Sequence, residues 1–231
     1  MEQTSPTTHE TAAANGTATF TPNALFIIAL IYGGMCVLAG VLGFKQVSLG
    51  PLAVESGIFA FLILVVLSST VAELYGTKNA NRLVLWGFLP LAIAFFLTQF
   101  VLLLPTDPDS YAPEAFVTVL SGTLRIWIAG PIAYGVSMFL NVYLFNRLRG
   151  SATTSGGGAS LMVRAAIASA LSQAVDTVIF ITVAFVGERP IGNLIVGQAT
   201  AKVVLSLILV PFLIQGAVAL GRKFDQRAVQ P

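Results

Sequence analysis

Six apolar stretches, each close to or above the roughly 20 residues a helix needs to cross hydrocarbon, dominate this chain of 231 residues. They lie at about 24–44, 51–75, 83–104, 116–146, 161–186 and 191–220. Hydrocarbon offers backbone N–H and C=O groups no water, so segments of this kind must satisfy their hydrogen bonds internally and become α-helices. The predicted fold class is therefore an all-α integral membrane protein with six transmembrane helices. Composition agrees: 56% of residues are hydrophobic and 10% charged, against about 25% charged in soluble domains. A net charge of +2 is too small to suggest nucleic acid as a partner. The lipid bilayer is the partner that composition demands.

The breaks between the stretches have local causes. Thr21–Pro22 pairs a capping hydroxyl with a proline suited to a first helical turn. Ser48–Pro51 reads as a turn, Gly76–Asn79 as a polar cap, and Pro105–Asp109 cannot continue a helix. GSATTSGGGAS, from Gly150 to Ser160, is a flexible linker that lacks the Lys-Ser/Thr ending of a phosphate-binding loop. Residues 1–22, rich in Thr and Ala, read as a disordered tail rather than a signal peptide. Residues 23–222 form the membrane domain, and 223–231 a second short tail.

Basic residues set the expected orientation. With six spans, both termini and the second and fourth loops share a side that carries Lys78, Arg82, Arg147, Arg149, Arg164, Arg222, Lys223 and Arg227. The opposite side carries Lys45 and Arg189. Both tails are thus expected in the cytoplasm. Span four, at about 31 residues and roughly 46 Å, exceeds a hydrocarbon core of about 30 Å and must tilt, bend or break. Gly130–Pro131 is the expected bend and candidate hinge, because Pro131 removes a hydrogen bond to the Trp127 carbonyl.

Four ionisable residues fall within the spans or at an inner edge: Glu73, Arg125, Asp176 and Lys202. Unpaired, they would together cost on the order of 10 kcal/mol, so they must face one another or a wet cavity. Arg125 or Lys202 is the expected partner of Asp176. Helical spacing gathers polar residues around them. Ser169, Ser172, Gln173, Asp176 and Phe180 form one stripe in span five; Gln198, Lys202 and Ser206 step by four in span six. Thr118, Ser121 and Arg125 align in span four, and Ser69 and Glu73 in span two. Glu55, at the other end of span two, reads as interfacial, and the lone Cys36 as a small core residue.

The balanced signs favour a neutral, flat, polar ligand. A carboxylate presents two acceptors in one plane and suits an edge with two adjacent N–H donors, as on a guanine-like ring. Gln173, Gln198 and Lys202 suit carbonyl or ring-nitrogen acceptors. Phe180, Trp127 and Tyr134 are candidate stacking faces. Enzymatic readings fare badly: there is no H-E-x-x-H or G-x-S-x-G, and the single histidine, His9, lies in the polar tail. A Ser172–Lys202 pair is the one nucleophilic arrangement left open. No cofactor or metal site is expected.

Four segments carry a family resemblance: AELYGTKNANRLVLWG (72–87), LRIWIAGPIAYGVSMFLNVYLFNRLR (124–149), SQAVDTVIF (172–180) and AKVVLSLILVPF (201–212). With their Glu-x-Tyr-Gly, Phe-Asn-Arg-Leu, Ser-Gln-x-x-Asp-Thr and Lys-Val signals in order, they resemble the queuosine-precursor transporters, formerly named putative vitamin uptake transporters. The resemblance covers about residues 24–222. It implies a six-helix inner-membrane importer of 7-cyano-7-deazaguanine and 7-aminomethyl-7-deazaguanine for transfer-RNA modification. The matching site positions are Glu73, Arg125, Gln173, Asp176 and Lys202. Many members carry acids where this chain has Ser69 and Asn141.

The resulting expectation is a bacterial inner-membrane, multi-pass transporter of a 7-deazapurine. Asp176, Gln173, Lys202, Gln198, Arg125, Glu73 and Phe180 are its substrate-binding candidates, and Gly130 and Pro131 its hinge. The similarity of SSTVAE (68–73) to LSQAVD (171–176) suggests a three-plus-three repeat. The alternative is a substrate-binding subunit, or a carrier for another small vitamin-like or purine-like solute; an intramembrane enzyme ranks last. Whether copies assemble into a homo-oligomer is left open.

Overall fold

The computed structural model describes residues 22–43, 45–50, 52–107, 113–121, 124–151, 158–187 and 191–228. Its element order is α1 (Asn23–Leu42), β1 (Gln46–Leu49), β2 (Leu52–Glu55), α2 (Gly57–Tyr75), α3 (Thr77–Leu103), α4 (Pro113–Leu120), α5 (Leu124–Ser151), α6 (Gly158–Phe185) and α7 (Gly192–Ala228). Six of these helices, all but α4, are long and apolar enough to cross a membrane.

The central helix is α2. Every residue from Leu64 to Ala72 is buried, which accounts for its nearly continuous apolar sequence: a helix surrounded by others has no side to leave polar. α3 lies outside and exposes Leu85, Trp86, Leu89, Ile93, Phe96, Leu97 and Phe100. Those positions recur along one broad face, as a lipid-facing surface requires.

Two expectations about the spans are corrected. The second span was expected to begin near residue 51, but Leu52–Glu55 form β2, paired antiparallel with β1 from Gln46↔Glu55 to Leu49↔Leu52. The Gly50-Pro51 signal marks a hairpin turn, with Gly50 at φ 61°, a conformation that glycine takes without steric penalty. The hairpin is tied back to α1: the Ser56 hydroxyl donates to the Leu42 carbonyl at 2.6 Å, and the Ser56 N–H to the Lys45 carbonyl at 2.8 Å. α2 then starts so close to α1 that a Cβ on Gly57 would lie 2.8 Å from the Ala39 carbonyl oxygen.

The long fourth span is resolved by a break. The short helix α4 ends at Leu120, and α5 begins at Leu124. The interruption therefore falls before the expected Gly130–Pro131 bend, and Pro131 lies inside α5. Where a polar cap was expected between the second and third spans, Gly76 alone makes the turn, at φ 84°. Thr77–Asn79 already belong to α3, and the Asn79 side chain donates to the Tyr75 carbonyl at 2.9 Å.

Candidate functional site

α6 and α7 run side by side and bring their polar stripes together. In α6, Ser169, Ser172, Gln173 and Thr177 are fully buried and Asp176 is 5% exposed. In α7, Gln198, Lys202 and Ser206 are buried at steps of four. Lys202 Nζ donates to Asp176 Oδ2 at 3.1 Å. Lys202, one of the two cations considered for Asp176, is paired with it.

A third helix completes the group: the Ser137 hydroxyl of α5 donates to Asp176 Oδ1 at 3.1 Å. Each carboxylate oxygen thus accepts one hydrogen bond within the protein. Lys202 Nζ also lies 5.9 Å from the centre of the Phe61 ring in α2, a distance at which the ring face attracts a cation. A buried ion pair survives desolvation only with such supplementary partners.

The pair forms part of the wall of a cavity of about 120 Å³. α1 contributes Cys36, Ala39 and Gly40; the hairpin contributes Glu55; α2 contributes Gly57, Ile58 and Phe61. Leu91 of α3, Gly130, Pro131 and Tyr134 of α5, and Phe180 of α6 close the remaining sides. Glu55, read from sequence as interfacial, also lines the cavity, and its Oε1 accepts from Gln198 Nε2 at 3.5 Å. The hairpin places it there, at the end of β2 rather than within α2.

Tyr134 of α5 is another wall residue. Its hydroxyl donates to Tyr32 at 2.7 Å and lies 3.2 Å from Cys36 Sγ. Its ring meets Phe88 edge-on at 4.9 Å. Cys36 is buried as expected and is also a cavity residue.

One helical turn from the Ser137–Asp176–Lys202 group lie Asn141, Ser172 and Ser206. The Asn141 amide donates to Ser68 at 3.2 Å and to Ser69 at 3.1 Å. Several atoms in this region are buried without a partner among the described residues: Asn141 Oδ1, Ser169 Oγ, Ser206 Oγ, Gln198 Oε1 and both amide atoms of Gln173. Leaving such groups unpaired costs about 1–3 kcal/mol each.

Glu73 does not join the cavity group; its Oε2 pairs with Arg164 at 3.1 Å and Arg149 at 3.7 Å, roughly 18 Å along α2 from Phe61. α4 has ended before Ser121. Thr118 and Ser121 are exposed, and the Thr118 hydroxyl donates to the Glu114 carbonyl. The side chains of Arg125 and Trp127 lie outside the described residues. Among the described residues of α5, Tyr134, Ser137 and Asn141 supply polar contacts at steps of three and four. Ser172 donates to the Ser169 carbonyl and Lys202 to Asp176, so the Ser–Lys nucleophile is not assembled.

Comparison with known proteins follows the same line. No solved structure matches the chain. Over 143 residues it is 29% identical to a Bacillus subtilis (strain 168) protein named "Probable queuosine precursor transporter", an alignment that covers 61% of each chain. The chain thus spans about three fifths of that relative's length. A family model described as "Putative vitamin uptake transporter" matches residues 55–216, well over half of the chain. That stretch runs from Glu55 through Asp176 and Lys202 and takes in four of the six long apolar helices and most of a fifth. The chain belongs to this vitamin uptake transporter family, and six of its described helices are long and apolar enough to cross a membrane.

Proposed function

We propose that this protein imports a 7-deazaguanine precursor of queuosine, 7-cyano-7-deazaguanine or 7-aminomethyl-7-deazaguanine, across a bacterial inner membrane. The observation that carries the reading is the Asp176–Lys202 pair on the cavity wall, with the buried amide groups of Gln173 and Gln198 on the same two helices. The relative's printed name and the family membership support the same cargo. In this reading the Asp176 carboxylate accepts from the two adjacent N–H donors of the guanine-like edge. Gln173, Gln198 and Lys202 meet its carbonyl and ring nitrogens, and Phe180 offers a ring face. Glu55 joins them as a residue that holds Gln198 in place. Arg125 remains a candidate on family grounds, and Glu73 acts at a distance from the cargo. Gly130 and Pro131 are the proposed hinge, since both border the cavity.

The test uses a bacterial host that can neither make queuosine precursors nor import them. This single gene is expressed, a trace of 7-cyano-7-deazaguanine is supplied, and queuosine in transfer RNA is measured. Restored queuosine is the expected result. Asp176→Asn should lower the initial uptake rate about tenfold or more, the effect of losing a charge-assisted hydrogen-bond pair. Absence of queuosine despite well-inserted protein overturns the cargo. Restoration only when an energising partner is co-expressed selects the binding-subunit alternative.

A further inference from the structure

The cavity lies between the first three spans and the last three, and its wall reaches the hairpin end of the bundle through Gly43, Glu55 and Gly57. The opposite end carries the start of α1, the end of α2, the end of α5, the start of α6 and the end of α7. There the two halves are held together by polar links of a kind that serves no cargo-binding purpose. Glu73 of α2 pairs with Arg164 of α6 and Arg149 of α5. Asp225 of α7 accepts from the Tyr75 hydroxyl of α2 at 2.5 Å and from the Ala24 N–H at the start of α1 at 3.2 Å.

Each of these links crosses from one half to the other. Arg164 is buried, with its guanidinium 4.9 Å from the Phe145 ring centre. Among the described residues its Nε and Nη1 have no partner, so there it makes one ion pair where its geometry provides for more. Close packing brings α7 to the same place: a Cβ on Gly221 would lie 2.7 Å from the Leu74 side chain. Between these links and the cavity, Leu64, Val65, Met138, Val142, Phe145 and Ile214 are buried together. Of the two ends, the one at the hairpin has the cavity, with Gln198 Nε2 reaching Glu55 at 3.5 Å, and the other is packed and latched.

We infer that Glu73–Arg164 and Tyr75–Asp225–Ala24 form a latch that shuts this end of the transporter while the cavity faces the hairpin end, and that release of the latch is the step that opens the cavity to the other side. The inference rests on the transport reading above. Asp225 suits the role because one carboxylate holds two elements of the first half through one helix of the second. Its release frees α1 and α2 together. Arg164 suits it because pairing that is incomplete in the latched state leaves donors for a different partner in the released one.

The test places one cysteine on the cavity wall, Ala39→Cys in a Cys36→Ser background. Its alkylation by a membrane-impermeant maleimide is followed in vesicles of both orientations. The latched protein is expected to label from the hairpin end only. Adding Glu73→Gln with Asp225→Asn is expected to raise labelling from the latch end at least about fivefold, in protein shown to be monodisperse. The charge exchange Glu73→Arg with Arg164→Glu should return the one-sided pattern. If the double variant does not fold, Tyr75→Phe removes one link with little change of volume, and a smaller rise in latch-end labelling is expected. One-sided labelling that persists in every folded latch variant overturns the inference, as does parent protein that labels equally from both ends. Labelling needs no cargo, so failure of deazaguanine uptake would leave this outcome fully readable.

Discussion

Asp176 illustrates what a single residue asks of a membrane helix. A carboxylate at mid-span costs roughly 2.5–3.5 kcal/mol on insertion scales. Lys202 and Ser137 offset that penalty from two other helices. The pair's part in stability and its proposed part in uptake can be separated. Lys202→Met leaves Asp176 buried without its cation and should destabilise the protein by about 3–5 kcal/mol, read as a fall in Tm in detergent. Combining Lys202→Met with Asp176→Asn removes both charges and should recover most of that Tm while uptake stays lost. A double variant as unstable as Lys202→Met alone would show that the pair is not the compensating unit. Asp176, Gln173, Lys202 and Gln198 were legible from stripe spacing, because an intramembrane polar residue has few places to go. Glu55 and Ser137 were not: one depends on a hairpin folding back, the other on which turn of α5 meets α6.

At the scale of elements, the hairpin and the start of α2 set the mouth of the cavity. The ten or so residues around Gly50 are apolar enough to look like the beginning of a span, and hydropathy alone does not distinguish a short buried strand from a helix. What distinguishes them is pairing, which is a contact between segments. Gly57 records the consequence, since its helix approaches the Ala39 carbonyl too closely for any side chain. Gly57→Ala should therefore push α2 away from α1, destabilise the protein by about 1–3 kcal/mol and slow uptake through the displaced wall. Thermal unfolding and initial uptake rates check this together; an unchanged Tm would mean that the two helices separate freely. The break between α4 and α5 follows the same logic. Length showed that the fourth span was too long to cross upright, but the position of the interruption was set by packing, before the proline that local chemistry favoured.

For the whole molecule, the distribution of basic residues still predicts orientation. Eight Lys and Arg residues fall on the side of the latch and two on the side of the hairpin, so the latch end is expected in the cytoplasm. A reporter that is active only in the cytoplasm, fused after α7, should be active, and one that requires export should be silent; the reverse would invert the direction assigned to the cavity. In that orientation the cavity faces outward and the latch closes the inner side, which is the arrangement an importer needs before it takes up cargo. The two acids singled out at corresponding places in the two halves, Glu73 and Asp176, serve different ends of this cycle: one holds the latch, the other lines the cavity.

By itself the sequence determined the class of protein, the six spans, the helix pair that carries the buried charges and the family. These follow from quantities that each segment possesses alone: length, hydropathy, helical period and local motif. Only the tertiary structure decided that Lys202 and Ser137 meet Asp176, that Glu55 lines the cavity, and that Glu73 belongs with Arg164 at the far end. Those are distances between residues on different helices. An apolar helix is nearly indifferent to rotation and depth in lipid until its neighbours are in place, so nothing short of the packed bundle specifies them.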